Sequence, residues 1–259
     1  MPAFQLIHNS TIPVVAILIL IAIFPSPASA ANCSTSKIDE FGIVSKIYDG
    51  DTIKLTNGKK IRLIGINTPE MRYGKGKPEP LAKKAKAFTQ QKTLKRKVGL
   101  RYGAETKDKY GRKLAHVFLA NGANLQQQLL EKGLASQIAI PPNLWQQKCY
   151  EYSEKLAQKK SRGIWQKRYF KPLSAAKVSK RKTGFKFVTG TVKSVEYLKN
   201  QTLFHLNQKF SLHIKKQDLP YFKNFYEKDL INKVITAKGW ISADKGKFTM
   251  RIRHPSAIK

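Results

Sequence analysis

The stretch that decides the fold is VSKIYDGDTIKLTNGKKIRLIGINTPE, which runs from Val44 to Glu70. Apolar residues recur on both sides of Asn57-Gly58, a dipeptide typical of the tight turn between two antiparallel strands. Such a hairpin would bring Asp49 and Asp51, which flank a glycine, back toward the far end of the stretch. The sequence therefore predicts a small cluster of acidic and amide oxygens at one edge of a sheet.

Three motifs resemble the staphylococcal nuclease (thermonuclease) family in their order and spacing. They are Asp-Gly-Asp-Thr at 49–52, Arg-Leu-x-Gly-x-Asn-Thr-Pro-Glu at 62–70 and Asp-Lys-Tyr-Gly-Arg at 108–112. The resemblance covers roughly Phe41 to Trp165. It implies a five-stranded barrel of the OB type with helices packed on it, and calcium-dependent hydrolysis of phosphodiester bonds in DNA and RNA.

The acidic cluster suits a hard cation, because calcium takes carboxylate, carbonyl and amide oxygens as ligands. Asp51 is the strongest ligand candidate, together with the side-chain oxygen of Asn67 and the carbonyl of Thr68. We expect Asp49 to lie outside the direct ligands and to contact the metal through a water molecule. Glu70 is the candidate general base, since a carboxylate beside the attacking water can take its proton.

Two arginines complete the predicted catalytic set. Arg62 and Arg112 would each hold phosphate oxygens with paired donors, which a lysine cannot copy. By family resemblance, both arginines stabilise the pentavalent state and the 5′-oxygen departs. Lys109 and Tyr110, next to Arg112 in the chain, are candidate substrate contacts.

The chain departs from the family pattern at two places. Asn67 stands where many members carry a second aspartate, so one negative charge is lost and metal affinity should fall. The aromatic pair that stacks on the nucleotide in the family would lie near residues 139–141, where this chain has no tyrosine.

The charge of the chain points to a polyanionic partner. The formal net charge is +33, and both the part before residue 171 and the part after it are strongly basic. Charge of this size repels itself unless a partner neutralises it. DNA and RNA are the partners we expect, although charge by itself fits anionic lipid or a cell-wall polymer equally well.

The first thirty residues carry no Lys, Arg, Asp or Glu. An apolar run from Ile12 to Phe24 precedes Ala28-Ser29-Ala30, which predicts a secretory signal peptide over 1–30 and a secreted or periplasmic protein with no stable membrane insertion after cleavage. The alternative is an uncleaved membrane anchor. An exported protein could oxidise Cys33 and Cys149, and a disulfide and a buried thiol at Cys149 both remain open.

The remaining pattern predicts two domains and a mainly β fold with some α (α+β). Three helices are expected in the first domain, near Pro80–Leu94, Asn124–Lys132 and Leu144–Lys160. The predicted segments are an N-terminal segment (31–40), an OB-type five-stranded barrel (41–170), a basic linker (171–184) and a second, smaller OB-like barrel that binds nucleic acid (185–259).

The sequence thus favours an exported, monomeric nuclease with little sequence specificity. A non-catalytic nucleic-acid-binding protein, which has lost metal through Asn67, is the main alternative. A cationic protein that binds lipid or wall polymer is a third.

Overall fold

A closed barrel forms the first half of the protein. The computed structural model describes residues 32–72, 76–223, 225 and 227–259, so the predicted signal peptide lies outside the described residues. The elements of this half are β1 (Glu40–Asp49), β2 (Thr52–Leu55), β3 (Lys60–Leu63), β4 (Ile66–Asn67), α1 (Ala82–Thr93), β5 (Lys97–Lys107), β6 (Lys113–Phe118), α2 (Leu125–Glu131), β7 (Ser136–Gln137) and α3 (Gln147–Lys159). Five of the strands close in the order β1–β2–β3–β6–β5.

The predicted hairpin sets the register of the barrel. Strands β2 and β3 are antiparallel, with Ile53 opposite Ile61 and Thr52 opposite Arg62. The turn between them uses Gly58 at a φ of 84°, a conformation that glycine adopts without steric cost. Alternation then sends Ile53 and Ile61 into the core and leaves polar side chains near the rim.

All three predicted helices are present, each shifted by a few residues at its ends. Helix α1 lies against β1 and buries Ala82, Ala85 and Thr89. Helix α2 begins after Asn124, whose side chain accepts a hydrogen bond from the backbone N–H of Gln127. The prediction of an OB-type barrel with three helices is confirmed.

The second half is also a β unit, with its own apolar core. Its strands are β8 (Leu173–Ser174), β9 (Gly184–Thr191), β10 (Ser194–Leu198), β11 (Gln201–His205), β12 (Phe210–Lys215), β13 (Val234–Asp244) and β14 (Lys247–Arg251). They form one sheet in the order β10–β11–β12–β14–β13–β9–β8. A 3-10 helix at Lys216–Phe222 lies between β12 and β13 in the chain.

The segment predicted as a linker is structured. Strand β8 pairs in parallel with β9, and Ala175 enters the core of the second half. Backbone pairing of this kind does not depend on side-chain type, which is why a run rich in lysine can take part in it. The domain boundaries stay predictions, because residues 31–259 form one compact unit.

Several long-range contacts join the two halves within that unit. Trp165 and Phe187 meet edge to face with ring centroids 5.5 Å apart, and the buried ion pair of Lys238 with Glu154 lies nearby in the same interface. A disulfide links Cys33 to Cys149 and decides between the two alternatives left open above. Within the described residues, we find no helix with the length and apolar character needed to cross a bilayer.

Candidate active site

The Asp49-Gly50-Asp51 turn is held tightly against helix α1. A Cβ on Gly50 would lie 2.8 Å from the Cβ of Ala85 and 2.8 Å from Cγ2 of Thr68, so only glycine fits. The hydroxyl of Thr89 donates a 2.7 Å hydrogen bond to the Gly50 carbonyl. The turn therefore presents its two aspartates in a fixed position at the edge of the barrel.

Asp51 is the centre of the site. Its side chain is nearly buried, and its Oδ2 accepts a 2.8 Å hydrogen bond from the backbone N–H of Thr68. The same oxygen lies 3.2 Å from Nη1 of Arg62. The Thr52 hydroxyl donates to Oδ1 at 3.2 Å. One carboxylate thus connects the first motif to the second.

Arg62 and Asn67 face each other beside that carboxylate. Arg62 donates through Nη1 to the carbonyl of Leu63 at 2.8 Å and through Nη2 to Oδ1 of Asn67 at 3.4 Å. Asn67 in turn donates through Nδ2 to the Thr68 carbonyl at 3.3 Å. Both oxygens that the sequence nominates as metal ligands beside Asp51 therefore accept hydrogen bonds from neighbouring side chains.

Arg112 approaches the same edge from the turn between β5 and β6. Its Nε and Nη2 both lie 2.7 Å from Oδ2 of Asp108, and its Nη1 donates to the Thr52 hydroxyl at 3.4 Å. Since Thr52 also contacts Asp51, only one side chain separates Arg112 from the central carboxylate.

The two candidate substrate contacts lie beside Arg112. Tyr110 is 72% exposed, and the ammonium group of Lys109 sits 5.1 Å from its ring centroid. The guanidinium of Arg112 lies 5.4 Å from the same centroid. The three side chains form an exposed, cationic and aromatic rim.

Burial and neighbouring carboxylates raise the pKa values of Asp49 and Glu70. Burial is the largest cause for Asp49, followed by the nearby Asp51 carboxylate, and together they raise the pKa of Asp49 to about 7. Glu70 is exposed as a whole residue, yet desolvation and then Asp51 raise the pKa of its carboxyl group, while Arg62 and Arg112 oppose the shift.

The raised pKa values of Asp49 and Glu70 indicate whether these residues could hold a cation. The Asp51 carboxylate raises the pKa of both Asp49 and Glu70 because like charges repel, and a divalent ion beside them would relieve that repulsion. The donor set of carboxylate, amide and carbonyl oxygens also suits calcium. Among the residues that the structure describes, however, three or more His, Cys, Asp or Glu side chains nowhere converge as a ready-made ligand cluster. The fit is to an oxygen-rich site with few charges.

The structure brings the predicted residues to one edge of the barrel. Their catalytic and metal-binding roles stay predictions. Asp51, Arg62, Asn67 and Thr68 are in direct contact, and Arg112 joins them through Thr52.

Comparison with known proteins identifies the family of the chain. A sequence model described as "Staphylococcal nuclease homologue" matches residues 60–167. The thermonuclease of Staphylococcus intermedius is 35% identical over 160 residues, which cover 60% of this chain and 95% of that protein. The chain belongs to the staphylococcal nuclease family.

Other members of the family match over similar lengths of this chain. The thermonuclease of Staphylococcus hyicus is 34% identical over 166 residues, covering 61% of this chain and 97% of its own. Endonuclease YhcR of Bacillus subtilis is 30% identical over 163 residues, covering 54% of this chain and 12% of its own. The matched family model ends at residue 167, so the second half of this family member, from β8 onward, lies beyond it.

Sequence reasoning missed one acid that lies next to the site. Glu79 is buried, and its Oε2 accepts a hydrogen bond from the backbone N–H of Glu70 at 3.1 Å. The only available signal was an isolated acid among Lys77, Pro78 and Pro80. Near residues 139–141, where the family's aromatic pair is expected, Arg253 donates to the Pro141 carbonyl at 2.9 Å.

Aromatic residues of the second half divide between core and surface. Phe204 and Phe222 are core residues, whereas Tyr197 and Trp240 are 57% and 42% exposed. The exposed pair leaves the second sheet with aromatic surface among many lysines.

Proposed function

We propose that this chain is an exported, metal-dependent nuclease that hydrolyses phosphodiester bonds of DNA and RNA with little sequence specificity. The observation that carries the proposal is the convergence of Arg62 and Arg112 on the Asp51 carboxylate and its neighbour Thr52. Paired guanidinium groups beside acidic oxygens suit a phosphodiester, whose charge grows in the transition state. Membership of the staphylococcal nuclease family supports the same activity.

Each residue has a distinct role in the proposed reaction. Glu70 takes a proton from the attacking water, and its raised pKa brings it nearer to neutrality, where a general base works best. Arg62 and Arg112 bind the phosphoryl oxygens and stabilise the charge that develops on them. Lys109 and Tyr110 contact the nucleotide at the exposed rim.

Asp51, the Asn67 side chain and the Thr68 carbonyl would hold the metal ion, with Asp49 behind them. Calcium bound there would supply positive charge to the phosphate oxygens. Arg62 already lies against Asp51, so its position is set by the protein itself.

The second half has a supporting role in this proposal. Its net positive charge and its exposed aromatic residues suit a polyanion with stacked bases. Binding of substrate there would raise the local concentration of phosphodiester bonds near the first barrel.

Export is supported by the disulfide between Cys33 and Cys149, because disulfides persist mainly in oxidising compartments. We therefore propose a secreted or periplasmic location, in line with the signal-peptide pattern of residues 1–30.

The test is digestion of single-stranded DNA and of RNA of mixed sequence by the purified protein, with calcium and with a chelator. The proposal expects both substrates to be cut throughout their length with calcium and to stay intact with the chelator. Intact substrates under every divalent ion tried would refute it.

A second candidate is a nucleic-acid-binding protein without catalysis. The observation in its favour is that Asn67 donates to the Thr68 carbonyl and accepts from Arg62, so that two of the nominated metal ligands are already satisfied. This candidate expects binding that weakens steeply with salt, and no cleavage at all.

A further inference from the structure

Glu70 and Glu79 are linked by two hydrogen bonds in opposite directions. The backbone N–H of Glu79 donates to the Glu70 carbonyl at 2.9 Å, and the backbone N–H of Glu70 donates to Oε2 of Glu79 at 3.1 Å. A side-chain carboxylate thus fixes the backbone of the candidate general base.

Glu79 is held in place by cations from both halves of the protein. Its Oε1 accepts a hydrogen bond from Nη2 of Arg72 at 2.9 Å and lies 3.9 Å from Nζ of Lys186. The Glu79 and Lys186 side chains are only 7% and 12% exposed. Burial of a carboxylate is costly unless neighbouring cations and hydrogen-bond donors compensate it, so these contacts matter for the position of Glu79.

Lys186 comes from the second half, which the match to the family model does not include. It lies on strand β9, more than a hundred residues after Glu79. Trp165 and Phe187, together with Lys238 and Glu154, fix this strand region against the first half. The second sheet therefore reaches the backbone of Glu70 through one lysine and one glutamate.

We propose that Lys186, acting through Glu79, is a positioning residue for Glu70. The second half then contributes to bond cleavage itself as well as to substrate binding. This inference deepens the nuclease function proposed above and rests on it. Lys186 does not touch substrate in this scheme; it holds the Glu79 carboxylate in place, and Glu79 orients Glu70.

The kinetic test replaces Lys186 by methionine, which keeps an unbranched side chain only one atom shorter and removes its charge. We expect kcat to fall roughly tenfold with KM unchanged, because small misplacements of a catalytic group lower the rate of the chemical step. Lys186→Arg should retain the wild-type kcat, and so should Lys247→Met, a matched control at an exposed position on β14. In a Glu70→Gln background, Lys186→Met should have no further effect.

An effect of equal size in the wild-type and Glu70→Gln backgrounds would overturn the inference, because Lys186 would then act without Glu70. An unchanged kcat in Lys186→Met would overturn it as well. Glu79→Gln tests the same link from its other partner and should reproduce the kinetic pattern of Lys186→Met.

A second measurement does not depend on activity. Amide hydrogen exchange at Glu70 should become roughly threefold to tenfold faster in Lys186→Met, because the bond to Glu79 weakens, and should not change in Lys247→Met. Unchanged exchange would overturn the inference even in a protein that cleaves nucleic acid. Conversely, wild-type protein that fails to cleave would refute the proposed function, while the exchange result would still decide whether Lys186 positions Glu70.

Discussion

Removal of the Lys238 charge tests how the two halves are joined. The Lys238 and Glu154 side chains are 6% and 0% exposed, and Nζ lies 2.8 Å from Oε2 of Glu154. Lys238→Met leaves the buried carboxylate without its cation, which costs roughly 3–5 kcal/mol at such sites. Glu154 would retain two donors at 2.8 Å, the Ser136 hydroxyl and the Gln137 backbone N–H, so we expect the lower end, about 3 kcal/mol.

The double variant distinguishes the ion pair from ordinary packing. Glu154→Gln alone leaves Lys238 without its anionic partner, although Nζ keeps a 3.1 Å hydrogen bond to Gln137. It should lower the free energy of unfolding by roughly 2–3 kcal/mol. Lys238→Met combined with Glu154→Gln removes both charges and should cost only about 1–2 kcal/mol, well below the sum of the single effects.

The assay is urea unfolding at neutral pH followed by tryptophan fluorescence, which gives the free energy of unfolding of each variant. Lys247→Met serves as the control for loss of one positive charge from an exposed position. Additive effects of the two single changes would refute the reasoning, since they would show that the two charges do not interact.

Three further changes address the site and the core. Arg62→Lys should lower kcat about 100-fold in single-turnover cleavage, because the ammonium cannot reproduce the paired contacts of the guanidinium, whereas the exposed Arg96→Lys should not. Asn67→Asp should tighten calcium binding about tenfold in titration calorimetry, since it adds a charged ligand; equal or weaker binding would contradict the assignment. Burial lowers the pKa of His116 to about 3. The free energy of unfolding should therefore decrease as the pH falls below about 6.5, because the unfolded chain then binds a proton at His116 that the folded protein does not. By pH 5 the loss is about 2 kcal/mol; His116→Gln should remove this part of the slope in urea unfolding, and an unchanged slope would refute the prediction.

The first barrel could be predicted because its signals are local. The turn at Asn57-Gly58 and the apolar alternation around it define the β2–β3 hairpin, and the pairing of Thr52 with Arg62 follows from that register. The first two motifs meet there because Asp51 precedes β2 and Arg62 lies on its neighbour β3, whereas Asn67 reaches the same edge from β4, outside the barrel.

The contacts between the halves could not be predicted, because they join distant residues without a shared pattern. Nothing around Glu154 or Lys238 indicates that an acid and a lysine far apart in the chain share a buried interface. The same holds for Glu79, which was indistinguishable from a solvated acid in a basic, proline-rich segment. The Cys33–Cys149 pairing was open for the same reason, since two cysteines can equally remain reduced.

The second half was predicted only in outline. Its strands follow clear β-branched and aromatic runs, but β8 lies in a lysine-rich stretch with few large apolar residues. Its pairing with β9 depends on backbone hydrogen bonds and on Ala175 entering the core, which composition does not reveal.

In the function proposed above, acidic oxygens and two arginines at one edge of the barrel cleave phosphodiester bonds with Glu70 as the base. Its most direct test is single-turnover cleavage of single-stranded DNA by wild-type protein and Glu70→Gln in saturating calcium, with the exposed Glu105→Gln as control. We expect a rate at least roughly 100-fold lower for Glu70→Gln and an unchanged rate for Glu105→Gln. Equal rates for wild-type protein and Glu70→Gln would contradict it.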